Sequence, residues 1–387
     1  MRILRLTFFF ILFFPLTFFA QDAKTIAKID KYMTQLYNAG CFNGNILLAD
    51  SNQIIYEKSF GYADYKKKEM LDANCRFEIA SLTKAFTAIA ILQLKDKSKL
   101  LLSDSINKFI PDFPYHGITI RHLLNHTSGL PDYVGLFFNY FNQQKLATNQ
   151  DIVTMLIRYK PKLLNAPGSA WKYSNTGYCM LALTIEKISG MSYADYIQKY
   201  IFDACDLRQS YLFSDKGYAD KFFLAKPYFY SYKYKATLTT DSMSQAKLIK
   251  AMAGITGDAR IFSTTGDLYK FNKNLFSGNL ISSESLREAI STVQIEKAKT
   301  PAYGMGWYLD KETSKQDWIY HPGIFPGYRA YWGKDLKKGT FLILLGNNEQ
   351  VNDKITVYAD NILRILKGKK PRKIKENAEG IHLLMLK

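Results

Sequence analysis

The chain has 387 residues, 47% of them hydrophobic and 22% charged, with a formal net charge of +18. That composition is ordinary for a globular protein and excludes a repeat-built or low-complexity chain. The basic balance comes with no nucleic-acid motif; it reads first as a lysine-rich solvated surface and second as attraction to an anionic envelope surface.

Residues 1–20, MRILRLTFFFILFFPLTFFA, carry two arginines, then an apolar run, then a small residue. This is the pattern of a secretory signal peptide cleaved after Ala20, with export to the periplasm or exterior as the expected outcome. Phe18 stands where a small residue is preferred, so an uncleaved N-terminal anchor is the alternative. No second long apolar segment follows. Residues 21–366 read as one folded domain and 367–387 as a basic tail, with Lys367, Lys369, Lys370, Arg372, Lys373 and Lys375.

Residues 22–38 have the apolar spacing of an amphipathic helix, through Ile26, Ile29, Met33 and Leu36. Residues 43–62 read as a hairpin turning at Ser51-Asn52. The stretch 77–94, FEIASLTKAFTAIAILQL, predicts a core helix with a polar opening. There Ser81 and Lys84 are three apart, so their side chains share a face. A hydroxyl beside an amine at the start of a buried helix suits an activated nucleophile. Ser-x-x-Lys also occurs at Ser105/Lys108, Ser169/Lys172 and Ser244/Lys247, but only Ser81 leads into an unbroken apolar helix.

A short helix is expected over 118–124, ending in the loop 125–131. His122 and His126 are four apart, but no Glu of a zinc-protease motif lies between them, and they read as a helix-to-loop junction. Residues 150–270 are predicted mostly helical, including 178–188 and 193–201. Strands are expected over 318–321, 328–332 and 340–345, with a turn at 335–339, before a last helix over 354–366. Strands at both ends and helices between them predict an α+β fold. Its sheet is antiparallel and built from the N- and C-terminal segments, helices flank it, and a mainly helical subdomain is inserted. The four cysteines, Cys41, Cys75, Cys179 and Cys205, have no metal-ligand spacing, and no disulfide is assigned.

A serine nucleophile needs a base and an oxyanion hole. Tyr173, in Tyr173-Ser174-Asn175 after a turn-rich lead-in, is the candidate base, with its proton affinity lowered by an ammonium such as Lys84. Tyr140-Phe141-Asn142 repeats the spacing without the Pro-Gly lead-in. His321-Pro322-Gly323 ends a predicted strand, where Gly323 lets a substrate approach and the Ile324 N–H could join that of Ser81 as an oxyanion hole.

Ser-x-x-Lys, Tyr-x-Asn and His-x-Gly in this order resemble the serine β-lactamase and penicillin-binding family, in the branch of class C β-lactamases, D-alanyl-D-alanine carboxypeptidases and related esterases. The flanking segments HLLNHTSGLPDY, APGSAWKYSNTGY, STTGDLYKF and YGMGW extend the resemblance over residues 25–366. It implies the β-lactamase/transpeptidase-like form of the fold and Ser81 as acylated nucleophile, with Lys84 as its proton-accepting or proton-steering neighbour. It implies Tyr173 as general base, Asn175 as substrate-amide ligand, and His321 where many relatives carry lysine. No cofactor or metal is implied. The expected partner is a small-molecule or peptide substrate, a cell-wall-derived one among the candidates. The expected reaction is hydrolysis of an amide or ester through a Ser81 acyl-enzyme, carboxypeptidase- or esterase-like rather than that of a dedicated β-lactamase. The alternative is a catalytically idle scaffold that binds wall peptide or protein. Pro322 departs from the pattern: relatives place a hydroxyl residue there, which helps to hold a substrate carboxylate.

Overall fold

The structure is a computed structural model. It describes residues 16–50, 53–142, 144–212, 223–231, 233–293, 295, 302–310, 317–349 and 355–373, with side chains from residue 23 onward. Most of the expected leader, the 51–52 turn and Lys375 lie outside the described residues.

Six strands form the main sheet: β1 (Gly44–Ala49), β2 (Ile54–Phe60), β3 (Tyr308–Leu309), β4 (Trp318–Phe325), β5 (Tyr328–Asp335) and β6 (Phe341–Gly346). Their order is β3-β4-β5-β6-β1-β2, antiparallel throughout, so β1 joins the two ends of the chain with Gly44 opposite Gly346. The turn after β5 is the one expected: Asp335 Oδ1 accepts the N–H groups of Lys337 and Lys338.

Alternation along β1 and β6 assigns each side chain a face. Ile46, Leu48, Leu342 and Leu344 pack with Ile29 and Met33 of helix α1 (Leu16–Asn38) and Ile362 of the C-terminal helix (Ile355–Leu366). Leu47, Ala49, Ile343 and Leu345 face the larger core of the inserted subdomain. At the centre of that core is α2 (Thr83–Asp96), buried at every position from Thr83 to Leu94, as a helix enclosed on all sides must be. Against it packs α6 (Asn175–Ser189), which in turn carries α3 (Ile120–Leu124) and α5 (Asn149–Tyr159), with α4 (Tyr133–Tyr140) in the same core. The predicted α+β architecture is the observed one.

Three local expectations need correction. The helix does not begin at Phe77. Phe77–Glu78 is a strand pairing with Ile261–Ser263, and Ala80–Leu82 is a 3-10 turn before α2. Long-range pairing there overrides the local helical rhythm. The region 150–270 also contains a hairpin, Tyr228–Ser231 with Ala236–Thr239, whose β-branched and aromatic run carries no helical period. Lastly, β4 does not end at His321 but continues to Phe325. Proline tolerates this because β3 pairs only with Ile319 and Tyr320, which leaves 321–325 an edge where no N–H is required.

Cys75, Cys179 and Cys205 are buried thiols, and Cys41 is partly buried. The first part of the basic tail folds back on the C-terminal helix: the Arg372 N–H donates to Asn361 Oδ1 at 2.7 Å and Asn361 Nδ2 donates to the Arg372 carbonyl at 3.1 Å. Among the described residues, no helix is long and apolar enough to cross a membrane.

Candidate active site

Ser81 sits in the 3-10 turn, directly after Ala80, whose φ of 50° is a left-handed value that a residue with a Cβ rarely adopts. The turn continues into α2, so Lys84 comes round beneath the serine: its Nζ donates to Ser81 Oγ at 3.1 Å and to the Asp258 carbonyl at 2.9 Å. Ser81 also hydrogen-bonds the phenol of Tyr173. The predicted nucleophile, lysine and tyrosine are therefore brought together in one connected chain of hydrogen bonds.

Lys84 has no solvent exposure. Burial lowers its pKa to about 8, and the Asp258 carboxylate opposes that shift. The faces of Tyr173 and Tyr178 lie 5.0 and 5.6 Å from Nζ. Tyr173 goes the other way from expectation. Burial pushes its pKa well above the usual phenol value, against the pull of the Ser81 hydrogen bond. At rest the site holds a neutral phenol and a lysine able to exist as the free amine near neutral pH.

Asp258 was not legible as a site residue. It is buried; Tyr133 donates to its Oδ2 at 3.1 Å, and Cys179 Sγ lies 3.5 Å from its Oδ1. The preceding Gly257, at φ 97°, lies where a Cβ would meet the Tyr178 carbonyl at 2.5 Å, and its own carbonyl accepts from Thr87. That close backbone approach brings the Asp258 carbonyl to Lys84.

Asn175 is anchored rather than free: its N–H and Nδ2 both donate to Asp132 Oδ2, at 3.1 and 2.8 Å. Asp132 caps α4 through Val134 N–H, so α4 and α6 share one carboxylate. On Asn175, the carbonyl oxygen Oδ1 is the atom suited to accept an amide N–H.

On the opposite side of the cleft, β4 runs against the Ser81 turn. A Cβ at Gly323 would overlap the Ile79 carbonyl oxygen, so glycine sets the spacing, and Ile324, 52% exposed, follows beside the turn. His321 is buried. Its Nδ1 lies 2.7 Å from the Pro322 carbonyl and its Nε2 3.1 Å from the Tyr303 hydroxyl. Since a carbonyl only accepts, Nδ1 carries the hydrogen and Nε2 accepts from Tyr303. Burial, then the nearby Lys84, lowers its pKa to about 3. His321 is therefore neutral, and it is not a substitute for the lysine cation.

His126 also belongs to the site. Its φ is 61°, its ring centroid lies 4.2 Å from that of Tyr173, and its Nδ1 accepts the Ser174 N–H at 3.2 Å. Its carbonyl accepts the Lys172 N–H at 2.8 Å. His122, by contrast, completes a capping box with Thr119 at the start of α3. The left-handed turn at His126 is what separates the two rings from a common helical face.

A family model described as Beta-lactamase matches residues 27–367. The chain is 39% identical over 310 residues to penicillin-binding protein 4* of Bacillus subtilis, covering 80% of this chain and 69% of that protein. Among solved structures, the octameric penicillin-binding protein homologue from Pyrococcus abyssi superimposes with a TM-score of 0.76 at 25% identity, covering 90% of this chain and 78% of the other. The D-amino acid amidase from Ochrobactrum anthropi shares the fold with a TM-score of 0.72 at 24% identity, covering 86% and 96%.

Proposed function

The chain belongs to the beta-lactamase family, and on that premise we propose that it is an exported serine hydrolase working through an acyl ester on Ser81. The observation that carries the reading is the hydrogen-bonded chain Lys84–Ser81–Tyr173 with its lysine pKa lowered to about 8. As a free amine, Lys84 accepts the Ser81 proton while Oγ bonds to the substrate carbonyl carbon. The bond to the leaving group then breaks, and the leaving group takes its proton from the Tyr173 phenol. The Lys84 ammonium returns a proton to Tyr173, so the site ends as it began. In the second half, water attacks the acyl ester and gives its proton to this same relay, and Ser81 departs as a hydroxyl. The main-chain N–H groups of Ser81 and Ile324 are the proposed oxyanion donors.

Relatives named as penicillin-binding protein and as D-amino acid amidase support an amide or ester substrate with a D-configured residue, a cell-wall-derived peptide among them. Esterase- or amidase-like turnover of a substrate without a free carboxylate fits better than carboxypeptidase or dedicated β-lactam hydrolysis, because Pro322 removes from the strand edge the hydroxyl that would help to hold a carboxylate. The arginine-led apolar segment 1–20 supports export, and N-terminal sequencing of the secreted protein tests it. The basic tail supports contact with an anionic envelope surface as a secondary feature.

The test of the chemistry is intact-protein mass measurement after exposure to a penicillin and, separately, to an activated ester. Wild type is expected to gain an acyl adduct or to turn the reagent over, and Ser81→Ala to do neither. Wild-type protein inert to both reagents would favour the idle-scaffold alternative.

A further inference from the structure

The aromatic wall beyond Tyr173 bears on what leaves when the acyl enzyme forms. Tyr173, as the phenol bonded to Ser81, marks the side from which a leaving group is protonated. On that side Trp171 lies 6.4 Å, centroid to centroid, from both Tyr173 and Tyr308. Tyr308 lies 5.3 Å from His321 and stacks on Tyr320 at 5.4 Å and 22°. Trp171 and Tyr308 are each only partly buried, and Tyr320, which packs against the outer cluster of α1 and the C-terminal helix, backs Tyr308 by stacking.

Among the described residues, a carboxylate finds little there to hold it. Pro322 has neither hydroxyl nor N–H. His321 is uncharged, and both its ring nitrogens are already engaged, by Pro322 and Tyr303. Lys84, the cation that acts on His321, is buried and bonded to Ser81 and Asp258. Lys172, between the two rings of the wall, is exposed to solvent. A carboxylate drawn out of water against this wall loses hydration without gaining a paired charge, whereas an aromatic ring gains stacking surface.

We infer that the leaving group this enzyme accepts is uncharged and aromatic or apolar, as in an aryl ester or arylamide, and not a residue with a free carboxylate. The inference rests on Ser81 acting as the nucleophile.

The experiment compares N-acetyl-D-alanine phenyl ester with its 3-carboxyphenyl counterpart, each rate referred to its own hydroxide-catalysed rate. Wild type is expected to favour the phenyl ester at least tenfold in kcat/KM, mainly through KM. Tyr308→Leu should raise KM for the phenyl ester severalfold with kcat held. Pro322→Thr should narrow the preference at least threefold by restoring a hydroxyl. Equal or better turnover of the carboxyphenyl ester, still abolished by Ser81→Ala, overturns the leaving-group inference and leaves the hydrolase reading standing. Turnover of both esters that survives Ser81→Ala overturns the nucleophile assignment itself.

Discussion

Two bases are buried in opposite walls of one cleft, and burial does different work in each. Lys84, on the helical wall, keeps the Asp258 carbonyl as a partner and the Asp258 carboxylate nearby, so its pKa stops at about 8. His321, on the strand wall, has no acid among the described residues to offset burial and feels the Lys84 cation, so its pKa falls to about 3. Desolvation acts on both; the compensating charge decides the outcome. A base that stays titratable near neutral pH can move a proton during turnover. One held permanently neutral can only shape and orient.

The sharpest way to break this contrast is to remove the titrating member. Lys84→Met is expected to lower kcat/KM for acylation about a thousandfold, ~4 kcal/mol of transition-state stabilisation. In the wild type kcat/KM should rise with pH through an inflection near 8, because the free amine accepts the Ser81 proton. His321 should add no inflection between pH 5 and 7. A flat profile across pH 7–9, with chemistry shown to be rate-limiting, would remove Lys84 from the role of proton acceptor.

The second way tests the silent member through stability. The folded state holds His321 neutral down to about pH 3, whereas the unfolded chain takes up the proton near 6.5. Between those values the unfolded state binds more protons, so stability is complete above 6.5 and is lost as pH falls. From pH 7 to 5 the loss due to His321 is roughly 2 kcal/mol. His126, also held well below its ordinary value, adds a loss of the same sign. Urea denaturation at the two pH values should therefore show His321→Gln losing about 2 kcal/mol less than wild type over this interval. Equal losses in the two proteins would mean that His321 is protonated in the folded state.

The same contrast explains how far the sequence could be read. Ser81, Lys84 and Tyr173 were legible because local spacing and a turn-rich lead-in carry the chemistry of a nucleophile and its neighbours. The sheet was legible because ILLA within the first strand and FLILL within the last are short apolar runs toward the two ends of the chain. What stayed hidden depends on contacts distant in sequence. The expected fall in the Tyr173 pKa reversed, since spacing does not reveal how deeply a phenol is buried. Asp258 reaches Lys84 through a carbonyl across 174 residues, a contact with no side-chain signature. Asp132 meets Asn175 over 43 residues. Pro322 read as a strand end because nothing local says that the edge beside it is open.

His126 is the smallest effect and the most informative about the helical wall. Its carbonyl holds the Lys172 N–H and its Nδ1 the Ser174 N–H, so both amides flanking Tyr173 are fixed by one residue whose ring also packs on the phenol. Two substitutions separate these holds. His126→Asn keeps an acceptor near the Nδ1 position and gives up the ring; His126→Phe keeps a ring and leaves the Ser174 N–H buried without its acceptor. If the acceptor positions Tyr173, His126→Phe should lose about tenfold in kcat with KM nearly unchanged, while His126→Asn stays within about threefold. The opposite ranking would assign the positioning to ring packing. Equal losses of Tm with kcat unchanged in both would show that His126 serves the fold alone, and that Tyr173 is held from the α6 side through Asn175 and Asp132.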